Sequence, residues 1–98
     1  MELKEIVLHR RMEKSMSQRQ LAKLVSVDFT MISKIENGEY VPSENVIVKL
    51  ARALDVNRHD LILSANRIPS DFAIEIKSNP DLQDTLKKLV ASYPIPNI

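Results

Sequence analysis

The chain has no cysteine, which excludes disulfides, thiolate metal sites and cysteine nucleophiles. It has one glycine, two Phe, two Tyr and no Trp, too few turn and strand formers for an all-β sandwich or barrel. The two histidines, His9 and His59, fall on separate predicted helices. Neither has an acidic cluster at ligand spacing, so no metal site is expected. Neither a glycine-rich phosphate loop nor a Ser/His/Asp grouping is present, so neither a cofactor nor catalysis is expected. No apolar run approaches the ~20 residues that cross a bilayer. The first fifteen residues, MELKEIVLHRRMEKS, carry charge throughout, unlike a signal peptide. A cytoplasmic protein is expected, and the missing cysteine is compatible with a reducing compartment. The net charge is only +1, so the surface as a whole does not announce nucleic acid.

What is present favours helices. The 98 residues are 44% hydrophobic and 28% charged, enough for one compact domain with a short appendage. Leu3, Ile6 and Val7 mark one face of a first helix running to about Glu13. Ser17, with Gln20 three residues on, forms a capping-box pattern opening a second helix, with Leu21, Ala22, Leu24 and Val25 as its buried stripe. Asp28 stands where it can cap a third helix, Asp28–Glu36, with Ile32 and Ile35 inward. Asn37-Gly38 closes that helix. Pro42 and Ser43 introduce a fourth, with Val46, Ile47, Leu50, Ala51 and Leu54 inward. Asn57 and Asp60 open a fifth, carrying Leu61, Ile62 and Ala65. Five short helices over 1–66 make an all-α domain.

A different region covers 67–98. Ser70 or Asp71 can cap a helix running through Lys77, and Asn79-Pro80 starts another of about ten residues. Leu82, Leu86, Leu89 and Val90 form an apolar stripe on it. Tyr93–Ile98, with two prolines, reads as a non-helical tail. Three uses of the stripe stay open: packing on the same chain, a homodimer seam, or docking of a regulatory protein.

The second and third helices, joined by a tight turn, fit a helix-turn-helix unit, whose second helix lies in the major groove of duplex DNA. Between Arg10 and Gly38 six basic residues face three acids, a modest local excess on this segment. Phe29, Thr30, Ser33 and Lys34 share the side of the third helix opposite Ile32 and Ile35.

The run SQRQLAKLVSVDFTMISKIENG over 17–38, then Pro42-Ser43 and LARALDVNRHDL over 50–61, resembles the lambda-repressor-like, Xre-type helix-turn-helix family. The resemblance covers roughly residues 3–65. It implies a five-helix DNA-binding fold with a short helical C-terminal extension, and a transcriptional regulator, commonly a dimeric repressor of double-stranded DNA operators. Gln18, beside Arg19, matches a phosphate- or base-contacting position. Phe29, Thr30 and Lys34 match base-reading positions, Ser33 a variable contact and Asn37 a backbone contact. Arg11 and Glu36 match a structural ion pair. Phe29 has two uses open to it, packing on thymine methyls or covering the second helix. The family's usual glycines are Ser15 and Ser26 here, and Arg10 stands at an often apolar position. An antitoxin-like or protein-interaction module on the same scaffold is the alternative.

Overall fold

The structure, a computed structural model, describes residues 1–92; the expected tail, Tyr93–Ile98, lies outside the described residues. Among these residues there are seven helices and no strand: α1 (Leu3–Glu13), α2 (Gln18–Leu24), α3 (Phe29–Glu36), α4 (Glu44–Leu54), α5 (Arg58–Ser64), α6 (Ser70–Ser78) and α7 (Pro80–Ser92). The chain divides into two compact units, Met1–Arg67 and Ile68–Ile98.

The first unit is built on one core. Leu3 and Val7 of α1, Leu21 of α2, Ile32 and Ile35 of α3, Ile47, Leu50 and Leu54 of α4, and Leu61 and Ile62 of α5 are all buried in it. The closest pairings are α4 with α5, α2 with α3, and α1 with α3. Leu24 departs from the expected stripe and is 62% exposed. At about 100° per residue it points well away from the mean direction of Leu21, Ala22 and Val25.

The helix ends explain how one glycine suffices. Each of α1 to α5 closes through a residue with positive φ: Ser15, Ser26, Gly38, Asp55 and Asn66. At α2, the Ser26 N–H donates to the Lys23 carbonyl and the Val27 N–H to the Ala22 carbonyl, the Schellman pattern that satisfies the last carbonyls. The same pair of bonds recurs after α3, from Gly38 to Ile35 and from Glu39 to Lys34. Four of these five closures therefore carry a side chain in the left-handed region, where a Cβ is unfavourable. Ser26→Gly is expected to raise unfolding stability by about 0.5–1 kcal/mol, read as a higher urea midpoint with unchanged slope. An unchanged or lower midpoint would contradict the strain.

Arg10 remains at the surface while tying two helices. Its Nε donates to the Leu54 carbonyl at 3.2 Å and one terminal nitrogen to the Asp55 carbonyl at 3.1 Å. These are the end carbonyls of α4, where positive charge is favourable. Lys14 adds a 2.5 Å bond to Asp55 Oδ2. That hydrogen bond, helped by the Lys14 charge, holds the Asp55 carboxyl below its ordinary value.

In the second unit α6 packs on α7. The expected side-chain cap gives way to Pro69 at the cap position, and α6 begins at Ser70. The expected start of α7 holds, with the Leu82 N–H donating to Asn79 Oδ1 at 3.0 Å. This helix runs thirteen residues instead of about ten. Phe72, Ile76, Leu82 and Leu86 line a shared apolar cleft. No residue of either helix is buried, and Ile74, Leu89 and Val90 are each at least half exposed.

Candidate nucleic-acid interface

The start of α2 is fixed by a complete capping box. Ser17 Oγ accepts from the Gln20 N–H at 3.0 Å, and Gln20 Oε1 accepts from the Ser17 N–H at 2.8 Å. Gln18 and Arg19 are therefore the first two helical residues. The corner at Ser26 then turns the chain into α3. Asp28 occupies the cap position of α3 but makes no side-chain cap bond there.

Phe29, Ser33, Thr30 and Lys34 of α3 and its C-cap residue Asn37 fall within an arc of about 140° at 100° per residue. Ile32 and Ile35 lie on the other side, 0% and 1% exposed. Burying each contributes roughly 1.5–3 kcal/mol relative to exposure, so the inner face fixes which residues look outward. Phe29, Thr30, Lys34 and Asn37 are exposed and Ser33 is half-buried. The Arg19 guanidinium sits 4.5 Å from the centre of the Phe29 ring, a cation–π contact between α2 and α3. Phe29 thus supports the α2–α3 pair while 40% of it stays exposed.

Behind this face, three elements meet at one carboxylate. Arg11 of α1 donates through Nε to Glu36 Oε2 at 2.6 Å and through a second nitrogen to Oε1 at 2.9 Å. Its third nitrogen donates to the Met16 carbonyl at 2.7 Å. The pair is 13% and 4% exposed. The hydrogen bonds to Glu36 raise the Arg11 guanidinium above its ordinary value despite the opposing effect of burial. Gln18 joins them, its Nε2 donating to Glu36 Oε1 at 2.9 Å. Spacing along the chain offered no signal for this third member, which lies 18 residues from Glu36.

The electrostatics of the outer face follow. Glu36, an acid of this segment, is neutralised inside by Arg11. Among the described residues, Lys23 and Lys34 make no ion pair. The exposed face of α2 and α3 carries Arg19, Lys23 and Lys34 against one exposed acid, Asp28 at the start of α3, with hydroxyl and amide groups alongside, a surface suited to phosphate and base edges. Among the described residues, no group of three or more His, Cys, Asp or Glu is placed to hold a metal ion. None of these residues forms a helix long and apolar enough to cross a membrane.

Comparisons with known proteins agree on this region. The family described as Helix-turn-helix matches residues 8–61. Multiprotein-bridging factor 1b of Arabidopsis thaliana is 38% identical over 53 residues, which is 54% of this chain and 37% of that protein. Multiprotein-bridging factor 1a from the same plant is 34% identical over a stretch of the same length and shares. The match thus spans little more than a third of either relative. The crystal structure of the clp gene regulator ClgR from Corynebacterium glutamicum superposes with a TM-score of 0.58, covering 95% of this chain and 92% of that one. At 22% identity that likeness is one of fold. With the matched segment enclosing α2, α3 and their shared carboxylate, the chain belongs to the lambda-repressor-like, Xre-type helix-turn-helix family of DNA-binding regulators.

Proposed function

We propose that the protein is a sequence-specific regulator of transcription that binds double-stranded DNA, with α3 in the major groove and the start of α2 against the phosphate backbone. The observation that carries this reading is the two-sidedness of α3. Its inner face is buried by Ile32 and Ile35, while Thr30, Ser33, Lys34 and Asn37 stand outside, with Lys34 unpaired among the described residues. Lysine can donate to guanine N7 and O6, and Thr or Ser to either strand's acceptors. Gln18 and Arg19 supply donors beside it, and Phe29 offers its exposed edge to a thymine methyl. The protein is read as a binding protein and not an enzyme, acting in the cytoplasm by occluding its operator.

One recognition helix reads only a few base pairs, so the working form is a homodimer on a pseudo-palindrome with half-sites ~34 Å apart. The exposed apolar residues of α6 and α7 support that form, because two helices that bury no residue between them gain most from a second copy. Sedimentation of the full chain with and without Leu89→Glu distinguishes a dimer seam from a free surface.

The test of the reading is a duplex titration, including the DNA upstream of the protein's own coding region. A dimer making roughly six phosphate contacts should weaken about a thousandfold between about 50 and about 200 mM salt. Lys34→Ala should lose a further ~5- to 100-fold at fixed salt. A protein-interaction module on this scaffold is the second reading. The net charge of +1 favours it, as do relatives named for bridging proteins. It requires indifference to duplex DNA at low salt and no effect of Lys34→Ala.

A further inference from the structure

We propose that Glu36 is a positioning residue for Gln18, setting which atoms of the Gln18 amide face the DNA; this rests on the DNA-binding reading above. Both Glu36 oxygens are already engaged by Arg11, two of whose nitrogens fix them at 2.6 and 2.9 Å, and Arg11 is itself anchored to the Met16 carbonyl at 2.7 Å. The carboxylate therefore cannot turn to suit Gln18; the amide must adapt to it.

An ionised carboxylate only accepts hydrogen bonds. The Gln18 side chain can meet it only through its nitrogen, as the 2.9 Å bond from Nε2 to Oε1 shows. That single constraint removes the 180° ambiguity of a primary amide. One N–H is committed inward, while the second N–H and the carbonyl oxygen are left for an outside partner in a fixed order. The half-buried setting of Gln18 limits its remaining rotamers. The ion pair therefore does more than join α1 to α3: through Gln18 it reaches the surface that α2 presents.

Replacing Glu36 by glutamine keeps the shape and removes the constraint, because a second amide can donate or accept. A side chain released in this way must be immobilised again on binding, which costs about three- to tenfold in affinity. The experiment is a double-mutant cycle on duplex affinity with Gln18→Ala, Glu36→Gln and the pair. Each is measured at a temperature where circular dichroism shows it folded. Glu36→Gln is expected to weaken binding about three- to tenfold in the wild-type background and to have no effect once Gln18 is alanine. A general loosening of the fold would lower affinity equally in both backgrounds. Additive losses in a protein that binds DNA overturn the positioning role alone. A wild-type chain that binds no duplex overturns the DNA reading and this role with it.

A second measurement needs no variant. In the NMR spectrum of the free wild-type protein, the two Gln18 side-chain amide protons should differ, one shifted downfield by the carboxylate. Two protons with the shifts of a freely solvated glutamine would show that the Gln18–Glu36 bond does not persist in solution and would overturn the proposal.

Discussion

Glu36→Ala is expected to cost the first unit about 3–5 kcal/mol of unfolding stability, because it leaves the Arg11 charge without its partner in a largely desolvated place. A unit of this size, Met1–Arg67, holds only about 3–10 kcal/mol in total, so much of the variant should be unfolded at 37 °C. Three donors converge on that carboxylate, from Arg11 twice and Gln18 once, and alanine satisfies none of them. The partner variant Arg11→Ala should be comparably damaging, since it strands a carboxylate that is 4% exposed. Replacing both by apolar residues of similar volume should recover most of the loss. Chemical denaturation followed by circular dichroism measures all three. A Glu36→Ala loss within about 1 kcal/mol, the range of an exposed pair, would mean that the pair is wet in solution.

Ile32→Ala should lower stability by about 2–5 kcal/mol, the usual range for emptying a fully buried aliphatic site. Ile32 is 0% exposed in the middle of α3, and its neighbours come from helices that cannot close the gap freely. Two positions on, Lys34→Ala should shift stability by no more than about 0.5 kcal/mol, while carrying the loss of DNA affinity described above. The two substitutions thus separate the faces of one helix: the first unfolds, the second unbinds. The correctly folded fraction of Ile32→Ala should bind duplex with close to wild-type affinity once corrected for its population. If Lys34→Ala destabilised the fold as strongly as Ile32→Ala, the outward orientation of Lys34 would be wrong.

Much of this architecture was legible in the residues because local rules act locally. Ser17 with Gln20, Asn57 with Asp60, and Asn79 with Pro80 each announce a helix start through bonds spanning three residues. Apolar spacing placed Ile32 and Ile35 inward for the same reason. Leu24 shows the limit: it recurs at helical spacing yet is exposed, since a seven-residue helix gives too few turns to define a stripe edge. The cap of α6 was misplaced because two good capping residues, Ser70 and Asp71, follow a proline that itself takes the cap position. The link from Gln18 to Glu36 was not legible at all. It depends on the angle between α2 and α3 and on Arg11 arriving from a third helix, neither of which leaves a mark in the spacing.

The closure at Ser26 has a bearing on how α3 meets a target. Two backbone bonds and a left-handed residue occupy the corner, and the Arg19–Phe29 contact braces it from outside. The corner is a bracket and not a hinge. The angle between the two helices is set in the free protein, so docking freezes little backbone motion and gives up little entropy. A target that departs from the matching groove shape must itself bend, and sequences that bend easily are then preferred at positions the protein never touches.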